Sequence, residues 1–128
     1  MNRIVLDSSV LLALLNREPG ADSLTPELLD AAAGSTVNLA EVQAKLVNEG
    51  VNSDIAWNST LSTVRELMPF TAEQAKIAGS LVPQTRSLGL SLGDRACLAL
   101  GIALNAPIYT ADRSWKSLKV GVRIHVIR

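Results

Sequence analysis

The stretch RIVLDSSVLLALL, Arg3 to Leu15, joins a short apolar run to a longer helical pattern, with an aspartate at the joint. Ile4 to Leu6 reads as a buried strand and Val10 onward as a helix, so Asp7 stands where a strand hands the chain to a helix. The same arrangement returns in APIYTADRSW, where Ile108 to Thr110 reads as a strand and Asp112 follows its end. Between them, LAEVQAKLVNEG predicts a helix from Ala40 to Glu49, closed by Gly50 and carrying Glu41 in its first turn. LSLGDRACLALGIAL predicts a longer helix opened by a Ser91–Asp94 capping box, burying Leu92, Ala96, Ala99, Leu100 and Ala103. Open α/β sheets bind ligands beyond the carboxyl ends of their strands, where the strand order reverses. Asp7, Glu41, Asp94 and Asp112 are therefore expected to meet in one pocket.

The rest of the chain fits the same plan. Pro19-Gly20 breaks the first helix, and Thr25-Pro26 opens a second that is expected to run to Gly34. Thr36 and Val37 read as a strand, Ser53 to Val64 as a helix with Ile55, Leu61 and Val64 apolar, and Leu67-Met68 as another strand. Thr71 to Gln74 has the form of a capping box for a helix reaching about Val82, and Val122 to Val126 reads as the last strand. Strands alternating with helices predict an α/β fold, a three-layer αβα sandwich around a mostly parallel sheet. No linker or repeat interrupts it, so residues 1–128 are expected to form one domain.

With 48% hydrophobic and 19% charged residues, the chain excludes a disordered protein. No apolar run spans a bilayer and the N-terminus has no signal pattern, which predicts a cytoplasmic protein without a membrane partner. The single cysteine, Cys97, indicates neither a disulfide nor a zinc-thiolate site. The net charge of zero conceals a division along the chain. Residues 1–74 hold four Lys/Arg and ten Asp/Glu, a balance of −6, whereas residues 75–128 hold eight Lys/Arg and two Asp, a balance of +6. Those two aspartates are Asp94 and Asp112, and a basic surface beside an acidic pocket favours a phosphate-bearing partner.

Taken singly, an aspartate at a helix start is as readily a cap that accepts backbone N–H bonds as it is a ligand. Four such acids on one sheet edge are another matter, because two like charges about 4 Å apart repel by about 4 kcal/mol at an effective dielectric of 20. That repulsion is expected to raise the pKa of at least one of them. Asn or Ser would cap without it. Carboxylates kept there suggest a hard divalent cation, and an oxygen-only ligand set points to Mg²⁺ or Mn²⁺.

In IVLDSSVLLALL, NLAEVQAKL, LGLSLGDRACLALG and APIYTADRSW, in that order and spacing, the sequence resembles the PIN-domain nucleases, and among them the VapC-like toxins of bacterial toxin–antitoxin pairs. The resemblance covers essentially the whole chain. It implies a flavodoxin-like sandwich, an Mg²⁺- or Mn²⁺-dependent endoribonuclease, a homodimer and a cognate antitoxin. It places Asp7, Glu41, Asp94 and Asp112 at the four acidic positions, Ser9 at a small polar position beside the first acid, and Thr110 at the hydroxyl before the fourth. Such a site cuts RNA with activated water, leaving a 5′-phosphate and a 3′-hydroxyl, by one ion or two. Arg95 and Arg113, each following a site acid, are candidates for phosphate contacts, with Lys116 and Lys119 extending the track.

His125 belongs to a strand pattern, Cys97 to an apolar helix face, and Trp115 either to the core or to a base-stacking surface. The Val10 to Leu15 run holds more apolar residues than one helix stripe needs, and part of it is a candidate dimer or antitoxin surface. Other readings stay open. A receiver-like phosphoacceptor domain would need an acidic pair after the first strand, where Asp7-Ser8-Ser9 stands, and a phosphatase of the haloacid dehalogenase type would need aspartate at Ser9. A non-catalytic RNA- or protein-binding module would show a substituted acid, and none of the four is substituted.

Overall fold

The computed structural model describes residues 2–128. Five strands, β1 (Ile4–Leu6), β2 (Ala32–Ser35), β3 (Glu66–Met68), β4 (Ile108–Thr110) and β5 (Ile124–Val126), form one sheet in the order β3-β2-β1-β4-β5. All four pairings are parallel, so the expected mostly parallel sheet is wholly so. Among the described residues seven α-helices accompany it: α1 (Ser8–Asn16), α2 (Pro26–Asp30), α3 (Thr36–Asn48), α4 (Ser53–Leu61), α5 (Ala72–Ser80), α6 (Val82–Thr85) and α7 (Leu92–Leu104). Among the described residues, no helix is long and apolar enough to cross a membrane.

The central strand explains the layering. Ile4, Val5 and Leu6 are all buried, yet successive side chains of a strand point to opposite faces. Ile4 and Leu6 join Val10, Leu11, Leu39 and Val42 on one face, while Val5 joins Cys97, Leu98, Leu100, Ile108 and Trp115 on the other. Each fully buried aliphatic side chain contributes about 1.5–3 kcal/mol, and only a sheet covered on both faces collects it from every residue.

Two sequence expectations change. The run Ala31 to Gly34 reads as helix because alanine is the strongest helix former, but Ala32–Ser35 forms β2, hydrogen-bonded between β1 and β3. Tertiary context overrides propensity here, since the strand lies where helices crowd in. A Cβ on Gly34 would fall 2.8 Å from Leu39 Cδ1 and 2.9 Å from Val64 Cγ1. Ser35 then caps α3 directly, accepting a bond from Val37 N, and Thr36 and Val37 open that helix instead of forming a strand. Glu41 consequently sits in the second turn of α3, not the first.

The apolar faces of α4 and α7 also differ from expectation. Ile55, Leu61 and Leu92 are exposed, as is Ala103, while α7 buries an unbroken run from Ala96 to Gly101. Such a run is possible because α7 touches α5 on one side and the strands β1, β2 and β4 on the other. Thr71 caps α5 but the reciprocal bond is missing, since Gln74 turns inward and is buried. The Ser91–Asp94 box is complete.

Candidate active site

With β1 at the centre, the chain leaves it toward β2 and β3 on one side and returns to β4 and β5 on the other. The crevice at that switch point lies between the ends of β1 and β4. Asp7 follows β1, Asp112 follows β4, and a continuous hydrogen-bond network joins them. Asp7 Oδ1 accepts from Ser9 Oγ at 2.6 Å and from Val10 N at 3.1 Å, and Asp7 Oδ2 accepts from Thr110 Oγ1 at 2.7 Å. Thr110 Oγ1 in turn accepts from Asp112 N at 3.1 Å, and Ser9 Oγ accepts from Ala111 N at 2.9 Å. Asp112 Oδ1 takes both Ser114 N and Ser114 Oγ, which caps the short 3-10 turn Arg113–Ser117.

Asp7 is 4% exposed, and burial pushes its carboxyl up to about 6; hydrogen bonds from Ser9, Thr110 and Val10 oppose the shift, and the charge of Asp94 adds the least to it. The expected raised acid is therefore present, but desolvation rather than mutual repulsion is its main cause.

Glu41 and Asp94 approach from two helices. Ser8 Oγ donates to Glu41 Oε1 at 2.5 Å and Asn38 Nδ2 at 3.0 Å, and the Glu41 carboxylate lies so close over Gly93 that any Cβ there would collide with it. Asp94 Oδ2 accepts from Ser91 N at 2.9 Å within the capping box. Cys97 is a buried thiol on α7. Burial holds it well above its ordinary pKa, and the charges of Asp7, Asp94 and Glu41 each raise it further. Asp112 is not among them; it reaches the others through Thr110 and Asp7.

Asp7, Asp94 and Asp112 all accept backbone N–H bonds at helix starts. Among the described residues none of the four acids is ion-paired, the three salt bridges being Arg3–Glu66, Arg65–Asp30 and Arg128–Glu18. Nor do three such side chains stand close enough together to enclose an ion as they are. The four acids offer oxygen donors, as a hard divalent cation requires.

The basic residues divide. Arg95 Nη1 donates to Ala78 O at 3.1 Å, near the carboxyl end of α5, and so braces two helices. Arg113 Nε donates to Arg128 O at 3.0 Å, and Lys116 and Lys119 are exposed. Trp115 is buried in the core at 1% exposure, which removes it as a base-stacking surface. His125 stacks on Tyr109 with ring centroids 4.7 Å apart, and burial, then Arg123, keep its imidazole below the ordinary range. Ser8, Asn38 and Gly93 escaped the sequence reading. The only signal for Asn38 was its place one helical turn before Glu41, and the misplaced helix start hid it.

Among curated proteins none matches the chain. Solved structures do. A DNA-bound VapBC from Salmonella typhimurium is 13% identical over the whole of both chains, with a TM-score of 0.75. VapBC2 from Rickettsia felis, bound to a DNA fragment from its promoter, is 22% identical over 98% of each chain, at 0.73. VapC20 from Mycobacterium tuberculosis, described as a toxin that cleaves the sarcin–ricin loop, is 22% identical over 94% of this chain and 98% of its own, also at 0.73. At such identities these likenesses establish the fold. The PIN-domain family profile goes further, since it matches residues 4–120, from the first strand to beyond the turn that Asp112 caps, and the chain accordingly belongs to the PIN-domain family.

Proposed function

We propose that this chain is an Mg²⁺- or Mn²⁺-dependent endoribonuclease that acts as the toxin of a toxin–antitoxin pair. The observation that carries the reading is the buried Asp7 at the switch point, without an ion-pair partner, with Glu41 lying against Gly93 next to Asp94 and with Asp112 joined to Asp7 through Thr110. Membership of the PIN-domain family and the VapBC-like fold support it.

In this reading Asp7 and Asp94 hold the cation, with Glu41 and Asp112 binding it directly or through water. A bound cation would polarise a phosphoryl oxygen and lower the pKa of water. The protein's own groups do the positioning. Ser9 and Thr110 fix both oxygens of Asp7, and the α7 capping box fixes one oxygen of Asp94. Attack on phosphorus in line needs no ribose hydroxyl as nucleophile, so the products carry a 5′-phosphate and a 3′-hydroxyl. Lys116, exposed on the turn after Asp112, meets the RNA backbone; Arg95 and Arg113 contribute less, their guanidinium groups being engaged with the carbonyls of Ala78 and Arg128.

Purified protein is expected to cut a labelled single-stranded RNA in Mn²⁺ and to stop in EDTA. Asp94→Asn should lower the rate by about 100-fold or more, since even partners that merely support metal ligands are worth 10–100-fold. Asp94→Asn cutting at the wild-type rate, from preparations free of other nucleases, would remove Asp94 from the site.

The partner surface follows from α1. Val10, Leu11 and Ala13 are buried, but Leu14 and Leu15 line a groove of about 480 Å³ with Pro26, Leu29 and Val64. We propose part of the Val10 to Leu15 run as a surface for the antitoxin or for a second copy of the chain. Expression of the chain alone should arrest growth, and co-expression of a neighbouring small open reading frame should relieve the arrest. A wild-type chain harmless by itself would end the toxin assignment and leave the nuclease assignment standing.

A further inference from the structure

Asn38 is 1% exposed, yet its side chain reaches three helices. Its Nδ2 carries two N–H groups and lies within bonding distance of three acceptors, Glu41 Oε1 at 3.0 Å, Gly93 O at 3.0 Å and Ser8 Oγ at 3.1 Å, so that one N–H is shared, while Ser8 donates its own proton to Glu41. A carboxylate and a carbonyl only accept, so the amide orientation is fixed. Its Oδ1 is then left buried without a partner. An orphaned buried acceptor costs free energy that a leucine of the same shape would not. Core packing alone therefore does not explain an asparagine here. The three acceptors do: Ser8 opens α1 and Gly93 lies in the first turn of α7, helices that pack on opposite faces of the sheet, and α3, on the α1 face, touches both.

We propose that Asn38 is a positioning residue that clamps the Glu41 carboxylate over Gly93, between α1 and α7, and so sets the affinity of the acidic site for a divalent cation. The assignment rests on the metal-dependent reading above. Asn38 touches neither substrate nor cation; it acts through Glu41.

The test is Mn²⁺ titration calorimetry on the full chain, with melting curves as the control for folding. Asn38→Leu keeps the branched skeleton and removes both the donors and the orphaned oxygen, so a variant that melts as one cooperative unit should bind Mn²⁺ about tenfold or more weakly than wild type. Added to Glu41→Gln, the same substitution should weaken binding no further, because the group it positions is already gone. Equal loss in both backgrounds, or no loss in the single variant, would overturn the assignment. If the leucine does not fold, Asn38→Ala removes the same donors and is read in the same way. A wild-type chain that binds no Mn²⁺ would overturn the metal-dependent reading itself, a result separate from wild-type binding that Asn38→Leu leaves unchanged.

Discussion

Asp7→Asn is expected to abolish RNA cutting and, without metal, to raise the melting temperature by roughly 10 °C above pH 7. The carboxyl has a pKa of about 6 in the fold against 3.8 ordinarily, so folding favours its neutral form. That contribution is fully present below about pH 4, is lost as the pH rises through 6, and stays lost above. The gap corresponds to about 3 kcal/mol, and in a chain of 128 residues each kcal/mol moves the melting point by about 3–4 °C. Asparagine removes the charge and still caps α1, being as good an N-cap as aspartate. Wild type and variant should converge as the pH falls toward 4. Mn²⁺ at about 100 times Kd should return about 2.7 kcal/mol to wild type and little to the variant. A variant that melts lower than wild type at pH 8, or a gap that ignores pH, would show that Asp7 is an ordinary capping residue.

Gly93→Ala should separate folding from the site. A Cβ at this position displaces the Glu41 carboxylate. Because Glu41 is exposed, its side chain has room to swing into solvent, so the loss is confined to the bonds from Ser8 and Asn38, about 1–2 kcal/mol. Alanine returns up to about 1 kcal/mol in helix propensity at the start of α7. The melting point should therefore move little, while cutting falls by about 10–100-fold. Wild-type cutting by Gly93→Ala would mean that Glu41 does no work from the place where Gly93 lets it lie.

The sequence disclosed the parts of this fold whose causes are local. Ile4 to Leu6 and Ile108 to Thr110 are short apolar runs ending at an acid, and both are strands; the Ser91–Asp94 box opens α7 as its spacing requires. What stayed hidden depends on distant neighbours. Ala32 to Ser35 is a strand only because β1 and β3 flank it, and no local rule turns alanines into one. That single misplacement moved Glu41 by a turn and concealed Asn38. The role of Gly93 was equally out of reach, because it consists in the absence of a side chain where another helix places a carboxylate.

Asp7, Asp94 and Asp112 each accept a backbone N–H bond with one oxygen, a task that an amide oxygen performs equally well. Folding therefore tolerates the change from acid to amide at these positions, and at Asp7 is helped by it. A single-base substitution that turns one of them into asparagine would yield a chain that is inert yet fully native, still able to occupy whatever surfaces the active copy uses. Such a copy competes instead of being cleared. In a population of these genes, silencing would spread as folded decoys rather than as unfolded waste.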